Sequence, residues 1–330
     1  MLKIDAHNHF IPKELLDRIR RDGAGINMEI IDVDGQEFIR HFEGFQYPLD
    51  KDFYDYDAKK SDLLRRGLDK AVLSPPPSFF LYWVDKEECR DVAQCYNDYT
   101  KAFCDRHSDT FIAAMATIPM QDISLAMREL ERANKELGMT MVEIAPVILG
   151  KNLDEKEFFP VYEYCEANDV LVFLHPYFVG VKEQFKNYYN TNLVGNVLET
   201  NMGINSLIFG GVFEQFPKLK VLTSHGGGYF PYQLGRLEHG YNVRPEPKAN
   251  ISKSPMSYIG NLYFDTITHW APALQFLVDN FGADHVCIGT DAPYDMSDAE
   301  PMDKVDALRI SDEQKAAICH GVIEGLMGAR

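Results

Sequence analysis

The feature that most constrains the fold of this chain is a repeated alternation of short apolar segments with longer helical patterns. After the first ten residues, strands are predicted at 70–74, 111–118, 140–145, 170–175, 220–225, 262–266 and 286–291. Helices are predicted at 57–67, 86–107, 123–137, 154–167, 196–216, 230–240, 272–281 and 312–327. The strands are continuous apolar runs, as strands buried on both faces should be. Together with a strand at the N-terminus this makes eight strand–helix units, which predict a closed (β/α)8 TIM barrel.

The residues between the first and second strands do not follow this repeat. A short helix is predicted at 13–20, and residues 28–40 resemble two short strands around Val33-Asp34-Gly35. Asp-Gly between alternating apolar residues is a hairpin signal. We therefore expect one domain over residues 1–330, with a small β-hairpin insertion at about 20–56 that covers the barrel mouth.

Composition limits the partners and the compartment. The chain has 50 acidic and 33 basic residues, a net charge of −17, which argues against nucleic acids and anionic membranes as partners because their binding needs basic patches. Its six cysteines show no Cys-x-x-Cys pair, which indicates reduced thiols in a reducing compartment. No signal peptide and no apolar run of membrane-spanning length is apparent. We expect a cytoplasmic protein without a nucleic-acid or membrane partner.

Two histidines close the N-terminal strand. Side chains alternate along a strand, so His7 and His9 leave it on the same side and can take adjacent positions on a metal. The alternative is a turn with two solvated histidines. The His-x-His pattern at the end of a predicted strand favours the metal.

Other polar residues stand at further strand ends, where TIM barrels place their chemistry. They are His175 on the fifth strand, His225 on the sixth and Asp291 on the eighth. Each alone has a structural explanation, for instance a turn begun by Asp291 before Ala292-Pro293. Together with the histidine pair they should converge on the barrel axis. Three neutral imidazoles and one carboxylate suit one borderline divalent ion, zinc first and manganese second, with water completing the shell.

These motifs resemble the amidohydrolase superfamily. Asp-Ala-His-Asn-His-Phe, Phe-Leu-His-Pro, Ser-His-Gly-Gly-Gly and Ile-Gly-Thr-Asp-Ala-Pro match its metal motifs in order. The segments 210–221 and 224–241, with Tyr-Phe-Asp-Thr at 263–266 and the early hairpin, are similar to its 2-amino-3-carboxymuconate-6-semialdehyde decarboxylase group. The resemblance implies a metal-dependent carboxy-lyase and a homodimer. Its implied metal ligands are His7, His9, His175 and Asp291. Its implied proton-transfer residue is His225, and its implied carboxylate-binding residue is Arg236, which would reach the partner's site.

The sequence departs from the group at two positions. The group has a substrate-binding Arg directly after the hairpin Phe, whereas here Phe38 is followed by Ile39 and then Arg40. A one-residue shift reverses the face of a strand, so either a bulge restores Arg40 or the substrate differs. The fourth strand carries Glu143 in place of a lysine that could be carbamylated. This favours one metal, although Glu143 could bridge a second.

Three aromatic residues follow the fifth strand. Tyr177, Phe178 and Tyr189 are candidates for shaping a pocket for an aromatic or conjugated substrate, and ordinary lid packing is the alternative.

The residues permit a specific reaction. Protonating the carbon that bears the carboxylate makes CO2 a feasible leaving group. Histidine is a common general acid and base in enzymes, so His225 is the candidate to handle that proton, with Asp291 able to share it. We therefore expect non-oxidative decarboxylation of an unsaturated or aromatic hydroxy- or amino-carboxylate, without nicotinamide, flavin or pyridoxal. The alternatives are hydrolysis of an ester, lactone or amide by metal-bound hydroxide, and hydration of an unsaturated acid. A binding module that has lost its activity would lack some metal ligands, and none is missing.

Overall fold

The computed structural model describes residues 1–42, 46–177 and 183–328. Strands and helices alternate along the chain as predicted. The strands are β1 (Ile4–His9), β2 (Met28–Val33), β3 (Gln36–His41), β4 (Gln46–Pro48), β5 (Lys70–Ser74), β6 (Phe111–Ala114), β7 (Ala116–Thr117), β8 (Met141–Ile144), β9 (Val147–Ile148), β10 (Lys151–Asn152), β11 (Leu171–Leu174), β12 (Val221–Thr223), β13 (Leu262–Asp265) and β14 (Val286–Cys287). The helices are α1 (Lys13–Asp22), α2 (Tyr56–Arg65), α3 (Lys86–Arg106), α4 (Ile123–Lys135), α5 (Phe159–Ala167), α6 (Val197–Phe209), α7 (Val212–Gln215), α8 (Phe230–Val243), α9 (Ala271–Phe281), α10 (Pro301–Asp306), α11 (Asp312–Ala316) and α12 (Val322–Leu326).

Parallel pairing makes the barrel. One sheet has the order β1-β5-β6, and a second has the order β7-β8-β11-β12-β13-β14. β6 and β7 are two parts of one strand, separated by Met115 alone. At the outer edges the Ala6 N–H donates to the Ile288 carbonyl at 2.8 Å, and Asn8 forms a parallel bridge with Ala292. The first and last strand regions are therefore hydrogen-bonded to each other, which agrees with the predicted TIM barrel.

Apolar side chains fill the space inside the strands. The buried cluster there comprises Ile4, Ala6, Val72, Ala113, Met115, Met141, Leu171, Phe173, Leu222 and Cys287, with further residues of α12. A larger apolar core lies between the strands and the surrounding helices. The polar site described below lies above this interior cluster, at the C-terminal ends of the strands.

A bulge in β1 aims the two histidines at the barrel axis. The register against β5 shifts between Asp5 and Asn8, so the extra residue changes which side chains face inward. Ile4 and Ala6 pack inside the barrel below the bulge, and His7 and His9 face inward above it. The buried Asp5 carboxylate supports this geometry by accepting the His7 N–H at 3.1 Å. Simple alternation from Ile4 would have pointed His7 outward.

The insertion contains the predicted hairpin and one strand more. β2 and β3 pair antiparallel around Asp34 and Gly35, both with positive φ (54° and 86°). β4, which was not predicted from the sequence, adds a third antiparallel strand to β3. Ile39 and Tyr47 are buried on the side that faces the protein core.

Two predicted helices are interrupted. The helix predicted at 196–216 breaks between α6 and α7, where Gly211 has φ +78° and a Cβ would lie 2.5 Å from the Asn250 carbonyl oxygen. The helix predicted at 312–327 contains a π-helical segment, Ala317–Gly321, between α11 and α12. Among the helices of the described ranges, none combines the length and the apolar character required to cross a bilayer.

Candidate metal centre

Side chains from β1 and from the loops after β11 and β14 meet at the C-terminal end of the barrel. The Nε2 atoms of His7 and His9 lie 3.1 Å apart. Asp291 Oδ1 lies 2.9 Å from His9 Nε2, 3.3 Å from His7 Nε2 and 3.9 Å from His175 Nε2. Three imidazole nitrogens therefore surround one carboxylate oxygen, all in buried positions. Because His175 Nε2 is buried without a hydrogen-bond partner among the described residues, this donor set fits a divalent ion.

His225 approaches the same carboxylate from its other side. Its Nε2 lies 3.4 Å from Asp291 Oδ2, the oxygen that does not face the other three histidines. A ligand atom from each of His7, His175, His225 and Asp291 lies within 4.8 Å of the others, a group that omits His9. By distance alone, His225 and His9 compete for one ligand position. His9 contacts Oδ1, the oxygen that also faces His7 and His175, whereas His225 contacts Oδ2. This difference favours His9 as the metal ligand.

Hydrogen bonds fix the rings of the histidines. The Nδ1 atoms of His7, His9 and His175 lie 2.8–2.9 Å from Asp265 Oδ2, the Pro75 carbonyl and the Pro176 carbonyl, respectively. Nδ1–H donation to these oxygens leaves each Nε2 lone pair available to a metal.

Asp265, at the end of β13, connects His7 to His225. Besides accepting from His7, its carboxylate accepts the N–H groups of His225 at 2.9 Å, Gly226 at 2.7 Å and Ile267 at 3.1 Å. His225 and Gly226 both have positive φ, and the carboxylate satisfies the N–H groups that this turn exposes. The Gly-Gly-Gly motif is required here, since a Cβ on Gly228 would lie 2.3 Å from the Val197 carbonyl oxygen. Asp265 was not among the residues predicted for the site, although its position at a strand end could have identified it.

We expect Asp265→Asn to weaken metal binding by ~10–100-fold, because an amide NH2 would face N–H donors and release the His7 ring. Chelator competition on the purified variant measures this. Glu129→Gln is the control, since Glu129 is also a buried carboxylate but pairs with Arg132 and Asn97 between α3 and α4. Equal metal affinity in Asp265→Asn and the wild type would show that Asp265 does not position His7.

The electrostatics of the cluster suit a bound cation. Burial lowers the pKa of His7, but hydrogen bonds with Asp265 and Asp291 outweigh it and raise the pKa to about 10. Burial lowers the pKa of His9 to about 4 and that of His175 well below its usual value. Burial raises the pKa of Asp291, but the surrounding histidines outweigh it and hold the pKa well below its usual range. His9, His175 and Asp291 therefore already have the charge state that metal coordination requires, whereas His7 carries a proton that a divalent ion at its Nε2 would replace.

Glu143 is buried in β8 and is not part of the four-residue group. Neither carboxyl oxygen has a hydrogen-bond partner among the described residues, and burial raises the pKa of this carboxyl well above its usual range. The neutral acid is therefore the favoured form. A neutral carboxyl outside the cluster agrees with a single metal ion.

A cavity of about 640 Å³ opens from the cluster to the surface. His225 and Asp291 contribute to its inner wall, and Trp270, Tyr232 and Phe276 line it nearer the surface. The site therefore has room for a small planar molecule, with the carboxylate and the proposed proton donor on one wall.

The structure places Arg40 away from this cavity. The β2–β3 register is continuous, with Arg40 opposite Glu29, so no bulge turns Arg40 inward. Arg40 is exposed and pairs with Glu29, whereas Ile39 occupies the inward position. The bulge that could have restored Arg40 to the inward face is therefore not present in the β2–β3 pair.

The remaining candidates lie around the mouth. Arg236 is exposed on α8, and no hydrogen bond or ion pair joins it to Glu238 within the described ranges. The Tyr177 ring stacks on Trp83 at 4.9 Å between ring centroids, and the Tyr189 hydroxyl donates to Asp295 at 3.2 Å. Neither tyrosine is among the described lining residues of the 640 Å³ cavity. Phe178 lies outside the described residues.

The chain is similar in sequence and in structure to several known proteins. A family model described as Amidohydrolase matches residues 4–321. The 2-amino-3-carboxymuconate-6-semialdehyde decarboxylase of Dictyostelium discoideum is 35% identical over 310 residues, covering 93% of this chain and 86% of that protein. The gamma-resorcylate decarboxylase of Polaromonas sp. is 26% identical over 276 residues, covering 76% and 82%. The crystal structure of 5-carboxyvanillate decarboxylase from Novosphingobium aromaticivorans, with bound manganese, has a TM-score of 0.83 at 24% identity, covering 99% and 97%.

Proposed function

We propose that this chain, which belongs to the amidohydrolase family, is a metal-dependent, non-oxidative decarboxylase of an unsaturated or aromatic hydroxy- or amino-carboxylate. The family predicted from the sequence motifs is confirmed by the match over residues 4–321. The observation that carries the proposal is the position of Asp291, between three histidines on Oδ1 and His225 on Oδ2. The decarboxylase activities named for the relatives support this reading.

The proposed ligands are His7, His9, His175 and Asp291, holding one divalent ion per chain. When bound, the ion would act as a Lewis acid that orients the oxygens of the substrate and offsets their negative charge. We propose zinc, because three imidazoles and a carboxylate are a borderline-soft set, with manganese as the alternative. Metal analysis of protein purified without added metal decides between them.

His225 is the proposed proton donor. Its side chain is 15% exposed and lines the cavity, and Ser224 Oγ lies 3.2 Å from its Nδ1. Transfer of a proton from His225 to the substrate carbon that bears the carboxylate forms a C–H bond. The C–C bond to the carboxylate then breaks, its electrons return to the conjugated system and CO2 leaves. Asp291 Oδ2 accepts a hydrogen bond from the protonated ring before transfer.

The test is CO2 release from a panel of hydroxybenzoates and muconate semialdehydes by metal-loaded protein. We expect at least one member to lose CO2 with equal formation of the decarboxylated product. Esters, lactones and unsaturated acids are assayed in parallel, since hydrolysis and hydration release no CO2. Turnover of one of these without CO2 release from any carboxylate would replace the proposal by the hydrolase or hydratase alternative.

We also propose that the protein is a single-domain cytoplasmic homodimer in which Arg236 binds a carboxylate in the partner's site. Support comes from α8, where Arg236 lies near exposed apolar side chains, with Tyr232 81% and Val243 60% exposed. Trp270, beside the cavity mouth, is 66% exposed. Large exposed aromatic side chains next to a site entrance are typical of an interface.

Both Arg236→Ala and Arg236→Lys should lose activity and keep their metal, because Lys cannot reproduce bidentate binding of a carboxylate. Arg244→Ala is the matched control, an exposed arginine that follows α8 and pairs with Glu246. Mixing Arg236→Ala with His7→Ala should recover part of the activity. In the mixed dimer, one site has intact ligands and receives Arg236 from the other chain. No recovery after confirmed subunit exchange would place Arg236 in its own chain's site or on the surface only.

A further inference from the structure

One wall of the cavity is formed by a π-helical segment (Thr191–Asn196) and the start of α6. Asn192, Leu193 and Asn196 of this segment line the cavity together with Val197. Residues four apart lie on the same face of a helix, so the two asparagines form one polar strip on this wall. Because π-helical turns are rare and occur frequently at functional sites, the segment is a candidate for substrate binding.

The N-terminal end of this wall is attached to the loop that carries Asp291. The hydroxyl of Tyr189, two residues before the π-helical segment, donates to Asp295 at 3.2 Å, on the loop that follows Asp291. The Tyr189 carbonyl also accepts the N–H of Asn192 at 3.0 Å. Asn192 is therefore connected to the Asp291 loop through a single residue.

The C-terminal end of the wall packs on the turn that carries His225. A Cβ on Gly228 would lie 2.3 Å from the Val197 carbonyl oxygen, so Val197 contacts this turn directly. The Asn196 carbonyl accepts the Thr200 hydroxyl at 3.2 Å, which fixes the start of α6. The wall is thus held between the two loops that supply the proposed catalytic groups, and its side chains are preorganised relative to them.

The carboxamides of Asn192 and Asn196 are available to a ligand. Both side chains are half-buried in a mainly apolar lining, and neither carboxamide has a hydrogen-bond partner among the described residues. Thr268, which also lines the cavity, differs from them because its hydroxyl donates to the Trp270 carbonyl at 3.1 Å. Each carboxamide therefore keeps two donor hydrogens and one acceptor oxygen. A bound molecule that left these groups unpaired would lose affinity.

We infer that Asn192 and Asn196 are specificity-determining residues that bind a neutral hydrogen-bonding group of the substrate, such as a hydroxyl, a carbonyl or an amide; the inference rests on the proposed function. A carboxamide is uncharged, so it pairs with a neutral polar group without leaving a buried charge. The substrate is then held at two points, with its reacting carboxylate at the metal centre and its neutral group at this wall. Two such points fix the carbon that accepts the proton beside His225.

The first test replaces each asparagine by leucine, which has a similar volume and a side chain that forms no hydrogen bonds. For the panel's preferred carboxylate, Asn192→Leu and Asn196→Leu should lower kcat/KM by ~10–100-fold, mainly through KM, with the metal content unchanged. Asn190→Leu is the control, since Asn190 is half-buried in the same region but is not among the described lining residues. Asn192→Asp and Asn196→Asp keep the shape, lose the donors and should act in the same direction.

The second test identifies the kind of group that is bound. Calorimetry with metal-loaded protein compares 2,4-dihydroxybenzoate with 2-hydroxy-4-methylbenzoate, and then the corresponding pair substituted at position 5. Hydroxyl and methyl groups are similar in size, so each pair differs mainly in hydrogen bonding. We expect the wild type to bind the dihydroxy member of one pair ~10-fold more tightly. This preference should disappear in Asn192→Leu or Asn196→Leu and persist in Asn190→Leu; the same ratio in all four proteins would overturn the inference.

The outcomes separate this inference from the proposed function. CO2 release with an unchanged KM in both leucine variants leaves the proposed function in place and overturns the inference. An equal rise of KM in Asn190→Leu also overturns it, because the effect would then not depend on residues that line the cavity. CO2 release from no carboxylate, with esters turned over, removes the proposed function and the inference together.

Discussion

Replacing His7 with alanine should abolish metal binding and activity together. His7 Nε2 lies 3.1 Å from His9 Nε2 and 3.3 Å from Asp291 Oδ1, so its ring stands at the centre of the cluster. The metal content should fall from about one ion per chain toward zero. Elemental analysis and the CO2 assay measure the two effects on one preparation.

The control for this change is His320→Ala. His320 is partly exposed and pairs with Glu324 in the C-terminal region, so this variant should keep its metal and full activity. Full activity in metal-free protein would contradict the metal-dependent mechanism. Two ions per chain in the wild type would instead make Glu143 a ligand and favour hydrolysis.

His225→Ala should keep the metal while kcat falls by ~10²–10⁴, the usual contribution of a general acid. This variant also decides between the two ligand sets that the distances allow, because His225 belongs to the group of four within 4.8 Å and His9 does not. His9→Ala is the paired variant and should lose the metal. Metal loss in His225→Ala with retention in His9→Ala would exchange the two assignments.

The barrel could be predicted because its strands are short, continuous apolar runs separated by helical patterns. The predicted strands, however, extended too far at their C-terminal ends. β14 ends at Cys287, whereas the predicted strand continued to Asp291, and β12 ends at Thr223, before His225. The functional side chains therefore stand on the loops after the strands, where His225 and Asp291 adopt positive φ (54° and 61°). Periodicity describes regular backbone, so it could not predict these conformations.

Other features depend on contacts between distant residues. The bulge in β1 depends on Asp5, whose carboxylate accepts from Asn8 and from Thr290 at the other end of the chain. Lys59 is buried and donates to the carbonyls of His9 and Asp52. The first of these hydrogen bonds joins α2 to β1, and no local sequence pattern indicates it. The face on which Arg40 lies depends on the register of β2 and β3. A one-residue bulge would have moved Arg40 to the opposite face. Asp265 is the exception, since it also stands at a strand end, the criterion that selected His7, His9, His175, His225 and Asp291.

The measurement that tests the central claim most directly is the reaction of the panel's preferred carboxylate with metal-loaded protein in D2O, followed by NMR. We expect one CO2 per product and one deuterium at the carbon that carried the carboxylate, with both signals strongly reduced in His225→Ala. Product formation without CO2, or CO2 release that His225→Ala leaves unchanged, would contradict decarboxylation with His225 as the proton donor.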